Sequence, residues 1–410
     1  MKIGVLGAGI SGLTIAKLLS KHHEVELLEK NSNIGGIART KEIEGVTFHL
    51  TGGHCFNSKH KEVLDFVFDE IMPITEWHKV KRDAVIKFKD NEISYPIEFA
   101  IKEIYNFDKD LALRITRDFL NADDDKVYLN LEEWFRKKFG DTLSEEYFLP
   151  YNEKIWNNKP SEMHPAWVEG KLPIPDKESF FSGLLNLSKD KMPHSEFFYP
   201  NSNNQNTFID ALAQGLKIEL NYKVCSIRKV KDSNSWLVNE ELNYDLLIST
   251  LPLNVFPSLI VDCPDDVILA SQTLRYNKVS TMLWESRPTN RTWTYIPDKG
   301  SIFHRYIHIG NFFLPRSNHT ITEVIGVRSE EEMIENGKKD SFLIKPLDYN
   351  VSDHAYVVFD ENYSKCRKII YDYCDSCELF TLGRFGEWEY YNMDICIKSA
   401  LELSRRILSK

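Results

Sequence analysis

Apolar and polar positions along the first thirty residues follow the order strand, turn, helix, strand. The segment MKIGVLGAGISGLTIAKLL (1–19) predicts a short apolar strand that runs into a glycine turn and then into a helix. EVELLEK (24–30) predicts a second buried strand. Strands that alternate with helices are typical of a parallel sheet, so we expect an α/β fold of the Rossmann-like type.

The rest of the chain changes its pattern twice. Apolar residues recur at helical spacing between residues 101 and 195, which predicts a mainly helical insertion. The acidic run at 122–125 and the polar run at 201–206 are the clearest signals of loops or linkers. Later runs of alternating residues predict a strand meander that ends in a buried strand over 246–250, then an antiparallel sheet, then a final helix over 394–409.

Three glycines follow the first strand with the spacing G-x-G-x-x-G. Gly7 makes a tight turn, Gly9 lets the backbone approach a pyrophosphate, and Gly12 lets the helix pack closely on the strand. The helix N-terminus then offers free N–H groups to the phosphates. Glu29 ends the second strand, where a carboxylate accepts hydrogen bonds from a ribose with free hydroxyls. The pattern predicts a bound dinucleotide and favours FAD or NAD over NADP.

A second glycine pair favours FAD over NAD. Gly35 and Gly36 lie just beyond the predicted ribose carboxylate, and Arg39 places a cation near the same pyrophosphate. The segment resembles the second flavin-contacting motif of the glutathione-reductase-like and amine-oxidase-like FAD proteins. We group Ser11 and Lys30 with these cofactor-binding residues.

The predicted elements are assigned to three domains, one of which is discontinuous in sequence. Residues 1–100, 207–275 and 375–410 are assigned to an FAD-binding domain. Residues 101–195 are assigned to a helical substrate domain, and residues 276–374 to an antiparallel substrate-side sheet.

Composition and charge narrow the possible partners. The chain has 410 residues, enough for two or three domains, with 51 lysines and arginines against 61 aspartates and glutamates. The net charge of −10 argues against nucleic acid and anionic membranes as general partners. Without a long apolar run or a secretion signal, we expect a cytoplasmic enzyme that does not insert into membranes.

Cysteine usage fits a reducing compartment. The seven cysteines are an odd number without regular spacing. Cys374 and Cys377 form a single C-x-x-C, which lacks the other two ligands of a zinc site, so we expect no metal. A redox role for this pair stays open as the alternative to a coincidental spacing.

Six segments further along the chain carry a more specific signal. In order, they resemble blocks of the bacterial UDP-galactopyranose mutases, and the resemblance runs from residue 1 to about 405. The most specific match is GRFGEWEYYNMD (383–394), which a generic FAD amine oxidase is not expected to carry. The six are GGHCF (52–56), ISYPIEF (93–99), LPYNEKIW (149–156), FHRYIHIGNF (303–312), AYVVFDEN (355–362) and LGRFGEWEYYNMD (382–394).

The resemblance implies a flavin-dependent isomerase that interconverts the pyranose and furanose forms of a nucleotide sugar. The expected reaction converts UDP-galactopyranose to UDP-galactofuranose for cell-surface polysaccharides. N5 of reduced FAD attacks the anomeric carbon, UDP leaves, and the sugar opens and closes again. NAD(P)H or a reductase would supply the electrons, and a homodimer is expected by analogy.

The resemblance also assigns substrate residues. Arg305 matches the family arginine that binds the diphosphate, where a guanidinium stabilises the departing phosphate and counts as catalytic. Tyr151 and Trp156 match aromatic residues of the uridine pocket, and Tyr356 and Tyr390 match two tyrosines whose hydroxyls meet the phosphates. The competing interpretations are structural: Tyr151 and Trp156 would form the core face of a helix, and Tyr356 and Tyr390 would be buried tyrosines.

The remaining matches concern the flavin. His54 matches a histidine beside the flavin ring, assigned to catalysis and to cofactor binding, although a lone histidine is often structural. Arg384, Met393 and Asp394 match contacts to the isoalloxazine and the ribityl-phosphate, with a helix N-terminus that favours anionic reduced flavin. Val224, on the predicted strand NYKVCSI, matches a residue whose backbone meets the adenine.

One departure from the family keeps other functions open. The substrate loop of the family carries a second diphosphate arginine, whereas residues 167–181 contain none, with Lys171 and Lys177 as candidate replacements. The alternatives are a mutase for another sugar nucleotide, such as a TDP-deoxysugar or an N-acetylated sugar, and an FAD oxidoreductase of the amine-oxidase or desaturase kind. A catalytically silent FAD-binding relative is the third.

Overall fold

A five-stranded parallel sheet is built around the first strand of the chain. The computed structural model describes residues 1–122, 127–165, 168, 177–184, 196–230, 233 and 235–409. All four strand pairings of this sheet are parallel, and the predicted α/β Rossmann-like fold class is confirmed. In spatial order, the strands are Phe380–Thr381, Leu246–Ser249, Lys2–Leu6, Glu24–Leu28 and Lys217–Glu219.

Helices cover this sheet and bury its apolar side chains. Helix Ile10–Leu19 packs against the last helix, Met393–Leu408, and against Asn206–Ala213. Burial of apolar side chains of these helices and of the inner strands explains why the N-terminal segment is apolar on nearly every side. The final helix begins at Met393, one residue before the predicted start.

A second sheet has seven strands. Its neighbouring strands run antiparallel, except for the parallel pair Trp293–Tyr295 and Ala84–Phe88. In spatial order, the strands are Leu343–Val357, Tyr276–Ser286, His319–Ile325, Arg305–Ile307, Trp293–Tyr295, Ala84–Phe88 and Asn91–Ser94.

The domain boundaries stay a proposal, with one correction. Residues 84–94 were expected to belong with the parallel sheet, because they precede residue 100. They belong instead to the antiparallel sheet, since the backbone of Val85 pairs with that of Thr294 and that of Ile86 with Tyr295. The chain therefore enters the second sheet before the helical segment begins.

The segment after residue 100 is mainly helical, as expected. Asp108 accepts a hydrogen bond from the N–H of Leu111 at 2.9 Å, and Asn130 accepts one from the N–H of Glu133 at 2.9 Å, so each caps a helix. The helices are Ile101–Phe107, Lys109–Asn121, Leu131–Phe139, Asp141–Leu143, Leu149–Trp156 and Lys177–Leu184.

Smaller elements complete the described ranges. No helix in the described ranges combines the length and the apolar character needed to span a bilayer. The strands are Thr40–Ile43, Val46–His49, Trp77–Lys81, Glu196–Pro200, Ile227–Val230, Ser235–Val238 and Leu242–Tyr244. The helices are Lys61–Asp65, Asp265–Thr273, Glu330–Gly337, Tyr363–Cys377 and Gly383–Gly386.

Candidate active site

The two glycine segments predicted to hold a dinucleotide meet in the fold. The N–H of Gly35 donates to the carbonyl of Ala8 at 2.7 Å, and a Cβ on Gly36 would lie 3.1 Å from the Cα of Gly9. A Cβ on Gly12 would lie 1.9 Å from the carbonyl oxygen of Gly7, which has φ +97°. The turn and the close helix packing therefore require glycine, as predicted for these positions.

Glu29 lies at the end of the second strand, beside the glycine turn. Its carboxylate accepts hydrogen bonds from the N–H of Ala8 at 2.9 Å and from the N–H and Nδ2 of Asn31 at 2.9 and 2.7 Å. Each carboxylate oxygen can accept more than one hydrogen bond, so ribose hydroxyls can still be bound. Lys30, the next residue, is exposed.

Three buried nitrogen atoms without hydrogen-bond partners belong to predicted cofactor residues. They are Nε of Arg39, Nε2 of His54 and Nε of Arg384. Buried polar atoms are nearly always paired in folded proteins, so unpaired ones mark a place where a ligand can supply the partner. These atoms and the glycine segments fit a bound FAD on the predicted residues.

His54 is held by its backbone and is neutral. Its N–H donates to Nδ1 of His49 at 3.1 Å, and Nε2 of His49 lies 2.7 Å from the hydroxyl of Tyr199. Burial, and then the positive charge of Arg384, lower the pKa of His54 to about 4. The imidazole therefore offers one donor and one acceptor at neutral pH, without charge.

Arg305 lies in a buried ion pair. Its strand pairs with the strand of Glu323, so the two residues are directly opposite, and Nη2 of Arg305 lies 2.6 Å from Oε2 of Glu323. The hydroxyl of Tyr356 donates to Oε1 of Glu323 at 2.6 Å and accepts from Nη2 of Arg305 at 2.9 Å. Burial opposes the ionisation of Glu323, but Arg305 holds the pKa of that carboxyl well below its usual range.

Aromatic rings and a second guanidinium lie next to this ion pair. The rings of Tyr356 and Tyr390 stack at 6.0 Å, and Trp156 meets each of them edge-on at 6.1 and 6.0 Å. The guanidinium of Arg384 lies 4.4 Å from the ring centre of Tyr390. Predicted flavin and substrate residues are thus in direct contact.

All five predicted substrate residues line one cavity of about 170 Å³. Polar groups and aromatic rings alternate around it, as in sites that bind a flat or a charged ligand. Its lining comprises Tyr95, Pro96, Ile97, Glu98, Phe139, Tyr147, Phe148, Tyr151, Asn152, Ile155, Trp156, Tyr295, His304, Arg305, Tyr356 and Tyr390.

Comparisons with known proteins agree with this geometry. Residues 5–70 match the family described as NAD(P)-binding Rossmann-like domain. The chain is 22% identical to the UDP-galactopyranose mutase of Mycoplasma genitalium, over 99% of this chain and 94% of that protein. A solved structure, reduced UDP-galactopyranose mutase, superposes with a TM-score of 0.86 at 21% identity, over 100% of this chain and 95% of that one.

The resemblance to the UDP-galactopyranose mutase family is confirmed. The chain is also 27% identical to the dTDP-fucopyranose mutase of Escherichia coli, over 46% of this chain and 51% of that protein. It therefore spans about half the length of this second kind of curated relative. The site residues that the mutase resemblance assigned stay predictions, now with a common location.

One assigned residue, Val224, differs in its local structure from the expectation. Val224 was predicted on a strand, but it lies in irregular backbone between strands Lys217–Glu219 and Ile227–Val230, because the N–H of Tyr222 instead bonds the carbonyl of Glu29. Met393 and Asp394 do begin a helix, without a side-chain cap on its N-terminus.

Two further assignments concern the candidate loop lysines and the C-x-x-C cysteines. Lys171 and the side chain of Lys177 lie outside the described residues. Cys374 and Cys377 are free thiols on one helix, and burial raises the pKa of Cys374 to about 12. The thiolate is the reactive form, so the chemistry of this C-x-x-C is suppressed at Cys374.

Sequence reasoning missed Glu323 and Arg82. Arg82 donates from Nη2 to the hydroxyl of Tyr295 at 2.8 Å and lies 4.8 Å from the ring centre of Trp293. No carboxylate in the described ranges pairs with it, whereas Glu323 neutralises Arg305. Arg82 therefore leaves a net positive charge beside the cavity, which favours an anionic ligand. No motif or spacing marked either residue.

Glu98 was missed as well, and it predicts a pH effect on stability. Its side chain is 4% exposed, and burial raises its pKa to about 8. The folded state thus holds a proton that the unfolded chain has lost between about pH 4.3 and 8, so stability falls as the pH rises through this window. We expect Glu98→Gln to raise Tm more at pH 8.5 than at pH 5, measured by thermal unfolding. An equal change at both pH values would contradict this assignment.

Proposed function

We propose that this chain is a flavin-dependent isomerase of nucleotide sugars, with UDP-galactopyranose and UDP-galactofuranose as its substrate pair. The observation that carries the proposal is the contact of Arg384 with Tyr390, which joins the predicted flavin residues to the predicted substrate cavity. A substrate in this cavity would lie beside a cofactor held by the glycine segments. Bound reduced FAD supplies the nucleophile, N5, for the anomeric carbon.

The chain's own residues would bind and stabilise the diphosphate. Nε and Nη2 of Arg305 bond Glu323, which leaves Nη1 without a partner in the described part of the chain and free to donate to a phosphate oxygen. Because Glu323 and Tyr356 fix the guanidinium in place, it would not have to reorganise as UDP departs. The net positive charge for an anion would come from Arg82 and Arg384, which pair with no carboxylate in the described ranges, since the charge of Arg305 is compensated.

His54 would contact the flavin as a neutral group. A neutral imidazole can donate to or accept from a cofactor atom through Nε2, which lacks a partner in the protein. The buried Nε atoms of Arg39 and Arg384 would be satisfied by the cofactor in the same way, as cationic donors to its phosphates or ring oxygens.

The decisive experiment measures isomerisation by the dithionite-reduced holoenzyme. We expect a furanose product from UDP-galactopyranose on chromatography, and no turnover with the oxidised protein. Reduced protein that leaves every tested nucleotide sugar unchanged would contradict the proposal. Oxygen consumption or hydride transfer in one-to-one proportion with product would indicate an oxidoreductase instead.

A dTDP-sugar mutase is the second candidate. It is favoured by the similarity to the E. coli dTDP-fucopyranose mutase and by the absence of an arginine from residues 167–181. The same chromatographic assay with dTDP-linked sugars separates the two candidates. The substrate with the higher kcat/KM identifies the nucleotide.

A further inference from the structure

Glu98 is a buried acid in the cavity wall, and no charged residue in the described ranges pairs with it. It lies in the short turn of helix Ile97–Phe99, and its side chain makes no hydrogen bond to another side chain in the described ranges. Burial raises the pKa of this carboxyl, and a hydrogen bond from its own N–H opposes the shift less strongly. Glu98 is also separate from the proposed phosphate-binding group, because the guanidinium of Arg305 bonds Glu323 and Tyr356 and not Glu98.

The wall around Glu98 suits a flat ring. Tyr147 and Tyr151 stack at 5.5 Å with an angle of 15° between their planes, and Phe148 continues this aromatic wall. The hydroxyls of Tyr147 and Tyr151 make no hydrogen bond in the described part of the chain, so this end offers unpaired polar groups at the edge of an aromatic surface. A nucleobase has this combination of a flat face and a polar edge.

An ionised carboxylate here would be costly, because no cation in the described part of the chain compensates it and the proposed ligand is itself an anion. The neutral carboxyl group avoids this cost because it carries no charge. It presents one donor, the O–H, and one acceptor, the C=O, side by side. A ring carbonyl next to a ring N–H matches that pair.

We propose that Glu98, in its neutral form, recognises the base of the sugar nucleotide by donating to a ring carbonyl oxygen and accepting from the adjacent ring N–H, the edge that uracil and thymine share. The inference rests on the proposed function only in taking the ligand to be a nucleotide. It makes Glu98 a specificity-determining residue that acts on the base and leaves the sugar chemistry to other groups.

The test uses UDP, which has the base and the diphosphate but no sugar. Its Kd is measured with the FAD-containing protein, for the wild type, Glu98→Gln and Glu98→Ala. We expect Glu98→Gln to retain the wild-type Kd at pH 7, because an amide offers the same donor and acceptor. Glu98→Ala should weaken UDP binding about tenfold or more. The flavin spectrum and thermal unfolding confirm that each variant is folded.

A pH series adds a second readout. Burial raises the pKa of Glu98 to about 8, so the Kd of the wild type for UDP should rise about fourfold between pH 7 and pH 8.5, as the neutral form is depleted. The facing tyrosines Tyr95, Tyr147 and Tyr151 stay protonated, because burial raises each pKa above its ordinary value. Burial also lowers the pKa of His304, which stays neutral, and Arg305 stays charged.

Lys154 titrates over the same range, because burial lowers its pKa to about 8. Any pH dependence that survives in Glu98→Gln therefore belongs to Lys154 or to the terminal phosphate of UDP, and the difference between the two proteins belongs to Glu98. Equal pH dependence in both proteins, or a Glu98→Gln variant as weak as Glu98→Ala, would overturn the inference.

Two further outcomes separate the inference from the proposed function. If Glu98→Ala binds UDP as the wild type does and only its KM for the nucleotide sugar rises, Glu98 contacts the sugar and the inference alone fails. If the wild type binds neither UDP nor dTDP, the proposed function fails and the inference fails with it.

Discussion

Replacing Arg305 with lysine is expected to lower kcat about a hundredfold while the bound flavin keeps its absorption spectrum. Lysine retains the charge opposite Glu323, so the buried carboxylate stays compensated and the fold is preserved. It lacks the fork that lets one guanidinium bond Glu323 and Tyr356 and still donate to a phosphate. The loss should therefore appear in the step in which UDP leaves.

The measurement is turnover of UDP-galactopyranose by the dithionite-reduced protein, beside its visible spectrum. Arg136→Lys is the matched control, since Arg136 itself does not line the cavity and pairs with Glu145 at 2.8 Å, and it should keep full activity. Arg305→Ala is a poorer probe, because it would leave the fully buried Glu323 unpaired, at a cost of about 3–5 kcal/mol. An unchanged kcat in Arg305→Lys would remove Arg305 from the mechanism, and loss of flavin would mean that it holds the cofactor.

Gly9→Ala is expected to fold normally and to lose most of its flavin. Gly9 has φ −80°, which alanine adopts without strain, and a Cβ there would have ordinary contact with the Cα of Gly36 at 3.7 Å. The protein therefore has room for the methyl group, but the methyl group would collide with a pyrophosphate that approaches this backbone. Overpacking of this kind costs about 1–3 kcal/mol, which is roughly a tenfold to hundredfold loss of cofactor affinity.

The measurement is the ratio of flavin to protein after purification and dialysis, together with Tm of the flavin-free protein. Gly45→Ala is the control: it places a methyl group at φ +79° with nothing within 4 Å, so it should lose about 1 kcal/mol of stability and keep its flavin. Gly12→Ala cannot separate the two effects, because its Cβ would collide with Gly7. A Gly9→Ala protein that retains full flavin would show that the dinucleotide does not approach this turn.

The helical and strand periodicities were reliable where the signal was local. A helix follows the glycine turn as predicted, and the final helix lies within one residue of its predicted bounds, since their apolar spacing and flanking residues are contained in the segments themselves. Val224 was placed on a strand wrongly, because a short apolar run cannot reveal that its neighbour Tyr222 bonds Glu29. The strands between residues 84 and 94 joined the other sheet for the same reason: pairing partners are distant in sequence.

By itself, the sequence determined the dinucleotide turn, its carboxylate and the members of the substrate cavity that a family motif carries. Gly7, Gly9 and Gly12 act through the conformation of six neighbouring residues, so their spacing alone predicts the turn. Only the tertiary structure decided that Arg305 is neutralised by Glu323, that Arg82 pairs with no carboxylate in the described ranges, and that Glu98 is a buried acid in the cavity wall. Ion pairing and desolvation depend on which groups lie within a few ångströms, and distant strands bring those groups together.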